Sequence, residues 1–314
     1  MAGTAQDHGG GLDAAAARFG GARGDWLDLS TGINPLPYPL PDLPANAWTA
    51  LPDAAAARAL GDAARAFWSV PDRAGLLAAP GASALIARIP ALAPPGRVAI
   101  PGPTYNEHGA AFAAQGWQVV RAGAVDAAVV VHPNNPDGRV WAADALPAAP
   151  LTIIDESFCD VMPDASLVGL AARPGVIVLK SFGKFWGLAG LRLGFAIGDP
   201  SLLARLAAAL GPWPVSGPAL AVGAAALRDA GWAEATRARL DADAARLDGI
   251  MAAAGARTLG GTPLFRLYDT DDPAGWQARL AARRVWSRIF PYSDRWLRLG
   301  LPAPDGWARL DGLA

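Results

Sequence analysis

Residues 176–194 read VIVLKSFGKFWGLAGLRLG. A β-branched run, Val176–Leu179, stops at Lys180-Ser181-Phe182-Gly183-Lys184, and Arg192 follows eight residues beyond Lys184. The run has the length and composition of a strand buried on both faces, and the polar cluster after it reads as a loop at the strand's carboxyl end. In open α/β sheets that edge carries the ligand. The two lysines are informative in themselves. Of 27 basic residues only Lys180 and Lys184 are lysine; the rest are arginine. Arginine serves wherever a cation is enough, but only an amine can become a neutral nucleophile, because a guanidinium stays protonated.

The same alternation of short apolar runs and turn residues extends to both sides of this segment. Leu76–Ala79, Arg97–Ile100, Gln118–Ala122, Ala127–Val131, Leu151–Ile154, Val176–Leu179 and Leu193–Ile197 read as strands bounded by Gly, Pro or Asp. Ala82–Leu92 reads as a helix between the first two. The fold class is therefore α/β, with a mostly parallel central sheet and helices on both faces. From Ser201 the pattern turns helical, with Leu202–Leu210, Ala219–Leu227 and the long Ala233–Ala254. Phe265–Tyr268 and Trp296–Leu299 then read as strands around a helix near Pro273–Arg284, which suggests a smaller α+β domain. The expected division is a large domain over 51–214, a small one over 215–314, and an arm over 1–50 that contributes to the small domain and the active site.

Composition excludes several classes. Hydrophobic residues make up 52% of 314 and charged ones 18%, enough for a large core and unlike a disordered chain. Lys+Arg 27 against Asp+Glu 28 leaves no basic excess, so no nucleic-acid partner is expected. Cys159 alone cannot build a disulfide framework, and His8, His108 and His132 lack metal-ligand spacing, so no metal is expected. The uncharged stretch Leu206–Leu227 is broken by Pro212, Pro214 and Pro218, and reads as a connection between helices, not a membrane span. The N-terminal residues carry no secretory pattern, so a cytoplasmic location is the expectation.

Four strand ends could hold chemistry. Pro80-Gly81-Ala82-Ser83 places small residues at a helix start, where backbone N–H groups can approach an anion. His132-Pro133-Asn134-Asn135-Pro136-Asp137-Gly138 holds an amide between prolines. Asp155 ends a buried strand and needs a partner, since an unpaired buried charge is costly. Ser181 and Arg192 would surround a phosphate while Lys184 reaches a carbonyl carbon. Together the loops ask for a ligand with a phosphate, a ring nitrogen and an aldehyde, which describes pyridoxal 5'-phosphate.

With these residues in place, the chain resembles the fold-type I pyridoxal-phosphate enzymes of the aspartate and histidinol-phosphate aminotransferase superfamily. The matching motifs are Gly81-Ala82-Ser83, Pro103-Thr104-Tyr105-Asn106-Glu107-His108, Asn135-Pro136-Asp137-Gly138, Asp155-Glu156-Ser157-Phe158 and Ser181-Phe182-Gly183-Lys184 with Arg192. The resemblance implies that Lys184 carries the cofactor, Asp155 pairs with its ring nitrogen, and Asn135 bonds its 3-oxygen. It implies further that Tyr105 stacks on the ring, that His108 backs Asp155, and that Gly81, Ala82, Ser83, Ser181 and Arg192 hold the phosphate. Arg298, in Trp296-Leu297-Arg298-Leu299, matches the arginine that binds the substrate α-carboxylate, a bidentate task that suits its planar fork.

The ends of the chain narrow the resemblance. His8-Gly9-Gly10, Ser30-Thr31-Gly32-Ile33-Asn34-Pro35 and Trp286-Ser287-Arg288-Ile289-Phe290-Pro291-Tyr292 are similar to the threonine-phosphate decarboxylases of cobalamin biosynthesis. That family converts L-threonine O-3-phosphate to (R)-1-amino-2-propanol O-2-phosphate and CO2. His8, Gly9, Thr31 and Arg288 are then candidates for the substrate phosphate, and Asn135 for a further substrate contact. A small phosphorylated amino acid as substrate and a homodimer are implied. Three positions depart from related patterns: Phe158 where aminotransferases carry Tyr, Leu51 where relatives place a Tyr that reaches the neighbouring subunit's phosphate, and Gly32 where the decarboxylases often carry Asn. The absent hydroxyl at Phe158 fits decarboxylation better than transamination. The alternative is an aminotransferase of the histidinol-phosphate type. Serine phosphate also stays open as substrate, because one methyl is worth only ~1–3 kcal/mol.

Overall fold

The computed structural model describes residues 8–313. Among these the first strands are β1 (Leu27–Asp28), β2 (Gly75–Ala79), β3 (Arg97–Ala99), β4 (Gln118–Val120), β5 (Ala127–Val131), β6 (Leu151–Asp155), β7 (Val176–Ser181) and β8 (Gly194–Gly198). They are followed by β9 (Arg257–Thr262), β10 (Phe265–Asp269), β11 (Val285–Trp286), β12 (Arg288–Ile289) and β13 (Trp296–Gly300). The chain forms two compact units. The larger holds Pro37–Asn135 and Val140–Ala235; the smaller holds the described residues up to Leu36, Pro136–Arg139 and the described residues from Thr236 onward.

In the larger unit seven strands form one sheet in the order β2-β8-β7-β6-β5-β3-β4. β7, β6, β5, β3 and β4 run parallel, and β8 is antiparallel to both of its neighbours. β5 to β8 are buried almost throughout, as their continuous Val, Ile and Ala content requires of strands covered on both sides. Val129, Ile153, Ile177 and Leu179 pack with Leu85, Ile86, Phe112, Leu203 and Leu206 in one core. Each such fully buried aliphatic contributes roughly 1.5–3 kcal/mol. The reversed β8 matters for the site, because Gly194 lies opposite both Ala79 and Ser181. Arg192, two residues earlier, thus emerges between the loops that follow β2 and β7.

The expected helix over Ala82–Leu92 is two pieces, Ala82–Ile86 and a 3-10 turn over Ile89–Leu92. Pro90 has no N–H to continue the α-helical ladder. The helix Ala54–Phe67, begun by Asp53 accepting from the Ala56 N–H, was not anticipated. It packs against Gly217–Arg228, where a Cβ on Gly223 would stand 2.5 Å from Leu193 and 2.9 Å from Leu60. That close packing explains why residues 215–235 group with the larger unit, beyond the boundary expected at 215. Leu206–Leu227 resolves into the end of Pro200–Leu210, a Pro-containing connection and most of Gly217–Arg228. Among the described residues no helix is long and apolar enough to cross a membrane.

The smaller unit has an antiparallel sheet ordered β12-β13-β10-β9 and a parallel pair of β1 with β11. β9, sequence RTLGGT, escaped sequence reading because Gly260 and Gly261 weaken the strand signal. The glycines have a steric reason. A Cβ on Gly260 would lie 2.3 Å from the Asp137 carbonyl oxygen, and one on Gly138 would lie 2.0 Å from that of Gly261. With the bond from the Gly261 N–H to Asp137 O, this backbone contact draws Pro136–Arg139 into the smaller unit. The N-terminal segment joins it through β1 and the helix Leu12–Phe19, whose Phe19 packs with Trp26 and Trp286.

Candidate active site

The carboxyl ends of β2, β5, β6 and β7 meet at one edge of the large sheet around a pocket. Ala82, Ser83, Tyr105, Asn135, Asp155, Ser157, Phe158, Ser181, Lys184 and Arg192 all line it. Most of these belong to four loops that are separate in the sequence; the parallel register of β5, β6 and β7 brings those loops side by side.

Asp155, the last residue of β6, is 2% exposed. His108 Nε2 lies 2.8 Å from its Oδ2, while Oδ1 accepts from the Ser157 N–H at 2.9 Å and the Ser157 hydroxyl at 2.5 Å. Burial alone would raise the carboxyl's pKa. The hydrogen bond and charge of His108, with both bonds from Ser157, outweigh it and hold the group below the usual carboxylate value. The pocket therefore presents a fixed anion. Ser157 carries no assigned role in the sequence; its position two residues after an Asp is the signal, because that spacing allows an Asx-type turn. Tyr105 stands edge-on to His108 at 6.0 Å between ring centres. Asn134, beside Asn135, is held by Thr104 Oγ1 at 2.6 Å and donates to Pro103 O at 3.0 Å, which fixes the turn that carries Asn135.

On another side of the pocket, Gly81 has φ +85°, a conformation that L side chains rarely adopt. A Cβ there would stand 2.6 Å from Arg192 Nη2, so a side chain at this position would displace the guanidinium. Arg192 itself takes a left-handed backbone, φ 53°, and donates to Ala189 O at 3.1 Å. Ser83, Ser181 and Arg192 thereby offer two hydroxyls and a cation. Lys184 is half-buried, with Nζ 5.1 Å from the ring centre of Phe158. An anion cradle, a buried carboxylate for a ring N–H and a lysine for an aldehyde are the functional groups that pyridoxal phosphate requires. The residues present fit that cofactor.

The smaller unit gathers the other candidates. Arg298 on β13 is 4% exposed, donates through Nη2 to Ser30 O and lies over the Phe265 ring. Arg288 on β12 is its cross-strand partner. The Gly10 N–H donates to Ser30 Oγ at 2.6 Å, and a Cβ on Gly9 would lie 3.2 Å from Thr31 Cγ2. Gly9, Thr31 and Arg298 thus gather at Ser30, Arg288 lies across the strand pair from Arg298, and His8 is exposed.

Among the described residues His132, Glu156 and Cys159 bring metal-type donors within 4.8 Å of one another. Their capacity is already committed. His132 Nδ1 accepts from the Trp141 N–H at 3.0 Å, and Nε2 donates to Ala165 O at 2.6 Å. Glu156 accepts from Lys180, Ser166 and Leu167, and burial followed by Glu156 pushes the Cys159 thiol pKa up. The trio holds the loop after β6 together.

This sheet, with its lysine and aspartate at neighbouring strand ends, defines a fold-type I pyridoxal-phosphate-dependent enzyme. Residues 26–305 match the family described as aminotransferase class I and II. A threonine-phosphate decarboxylase of a Sinorhizobium species is 44% identical over 95% of this chain and 93% of its own length. One of Pseudomonas aeruginosa is 40% identical over 97% and 96%. The chain belongs to the aminotransferase class I and II family and, within it, to the threonine-phosphate decarboxylases. The fold matches a histidinol-phosphate aminotransferase from Sinorhizobium meliloti solved with pyridoxal-5'-phosphate, at TM-score 0.79, 17% identity and coverage of 99% and 96%.

Proposed function

We propose that the chain is a pyridoxal-phosphate-dependent carboxy-lyase that converts L-threonine O-3-phosphate to (R)-1-amino-2-propanol O-2-phosphate and CO2. Identity of 44% and 40% to decarboxylases across nearly the whole chain carries this reading over the aminotransferase alternative. In it, Gly81, Ala82, Ser83, Ser181 and Arg192 hold the cofactor phosphate, Asp155 backed by His108 its ring nitrogen, Asn135 its 3-oxygen, and Tyr105 its ring face. Arg298 binds the substrate carboxylate; His8, Gly9, Thr31 and Arg288 bind its phosphate, and Asn135 makes a further substrate contact.

When bound, pyridoxal phosphate supplies an electron-withdrawing ring that accepts the electron pair left by departing CO2. The chain's residues set which bond breaks. Arg298 fixes the carboxylate, and its orientation selects loss of CO2 over loss of the α-proton. Asp155, held ionised, keeps positive charge on the ring nitrogen. Lys184 delivers to Cα the proton that replaces the carboxylate. Phe158 presents a ring face to Lys184 where a tyrosine would present a hydroxyl, so no phenolic group competes for that lysine. The enzyme acts in the cytoplasm as a homodimer.

The test incubates pyridoxal-loaded protein with L-threonine O-3-phosphate without keto acid, following CO2 and the cofactor spectrum. Sustained CO2 release with the starting spectrum restored is expected. Stoichiometric conversion of the cofactor to its amine form without CO2 would make it an aminotransferase.

A further inference from the structure

Beneath the loop that carries Lys184 lies a charged cluster with no part in the proposed chemistry. Lys180 is 1%, Glu156 0% and Asp160 5% exposed. Lys180 Nζ lies 2.6 Å from Glu156 Oε2 and 3.4 Å from Asp160 Oδ1. Two indoles also converge on Asp160: Trp68 Nε1 donates to Oδ1 at 2.9 Å, and Trp186 Nε1 donates to Oδ2 at 3.0 Å. Trp186 is completely buried in an aromatic stack, parallel to Phe182 at 5.1 Å on one side and to Trp232 at 5.4 Å on the other. Phe182 and Trp186 flank Lys184 symmetrically, two residues before it and two after. The turn between them is closed by the Gly187 N–H to Lys184 O and the Leu188 N–H to Phe182 O, both at 3.1 Å.

Phe67, Phe185 and Tyr38 also pack tilted or edge-on against Trp186, at 5.2, 5.1 and 6.1 Å between ring centres, but ring contacts of this kind are weakly directional and leave a ring some freedom to slide and turn in its own plane. A hydrogen bond from the indole edge removes that freedom, and a buried carboxylate makes the bond charge-assisted. Burying the carboxylate in turn requires Lys180 nearby. We propose that Asp160 is a positioning residue for Lys184: through the Trp186 indole N–H it locks the in-plane orientation of the Phe182–Trp186 stack and so the direction in which the Lys184 side chain leaves the loop. This inference rests on the assignment of Lys184 as the cofactor lysine.

The test compares two substitutions that each delete one indole N–H to the same carboxylate and keep an aromatic ring. Trp186→Phe removes the bond on the Lys184 loop; Trp68→Phe removes the one from outside it. The readout is the pH midpoint of the visible absorption of full-length protein loaded with pyridoxal phosphate, without substrate. Trp186→Phe is expected to move that midpoint by about half a pH unit or more. It should also lower kcat about tenfold or more while KM stays within about threefold. Trp68→Phe should keep the wild-type midpoint even where its thermal stability falls as far. Equal midpoint shifts in both variants would reduce Asp160 to a general stabilising role and overturn the inference, as would no shift in Trp186→Phe. Should Trp186→Phe not fold, Asp160→Asn carries the same expectation, and an unmoved midpoint there would be decisive against it. Because the midpoint is read without substrate, absence of CO2 release from the wild type would count only against the proposed reaction.

Discussion

Lys184 lines the pocket half-buried, while Lys180, four residues earlier, is sealed against Glu156 and Asp160. Burial would lower the pKa of Lys180, but the two carboxylates outweigh it and push it up, so this amine stays protonated and cannot act as a nucleophile. Lys184→Arg is therefore expected to abolish both CO2 release and the lysine-linked visible absorption, with no substitution by Lys180; a retained spectrum would displace Lys184 from its role. Asp155 offers a pH test with a defined sign. Its folded pKa is depressed, so its contribution to stability is present above the ordinary carboxylate range and is lost as pH falls through the lower folded value. In chemical denaturation the gap between wild type and Asp155→Asn should be full above about pH 5 and shrink below about pH 4. Turnover of Asp155→Asn at neutral pH should fall about a hundredfold or more, because the fixed charge opposite the ring nitrogen is gone. A gap that widened on acidification would contradict the geometry around Asp155.

At the scale of elements, the reversed β8 and the loop after β2 act together. Gly194 pairs with Ala79 and with Ser181, which delivers Arg192 to the space above Gly81. Gly81→Ala would force a side chain onto a backbone that disfavours one, at about 1–3 kcal/mol, and against Arg192 Nη2. A titration of apoprotein with pyridoxal phosphate should show Kd raised about tenfold or more, at 1.4 kcal/mol per tenfold. Unchanged affinity would show that the cradle does not form there. The loops of this site were legible because each carries a residue type poorly suited to mere structure at the end of an apolar run: Asp155, Asn135, Lys184. What stayed hidden depends on partners distant in sequence. Glu156, Asp160 and Trp68 look ordinary until β6 and β7 are paired, and only that pairing separates the buried Lys180 from Lys184. Gly260-Gly261 reads as a loop until the Asp137 carbonyl oxygen is seen lying against it. The helix Ala54–Phe67 had a cap at Asp53 and apolar spacing at Leu60, Ala63, Ala64 and Phe67, so its signal was present but unused.

For the molecule as a whole, one surface of the larger unit is unlike the rest. Trp48, Leu51 and Trp213 are 70%, 68% and 58% exposed. Single exposed leucines are ordinary, but two exposed tryptophans beside a groove are not. The groove is lined by Pro52, Ala54, Trp213 and Pro214. The short helix Asn46–Thr49, which carries Trp48, reaches the same region: its Ala47 carbonyl oxygen stands 2.3 Å from where a Cβ on Gly217 would be. The homodimer proposed above would bury this face. Sedimentation should give twice the chain's mass for the wild type, and the double change Leu51→Glu with Trp213→Glu should shift it toward the monomer by placing two charges on the apolar surface. Neither side chain lines the cofactor pocket, so weaker cofactor retention in the separated variant would further indicate that the dimer supports the site. A monomeric wild type would remove the dimer, and a double variant that stayed dimeric would move the interface to another face.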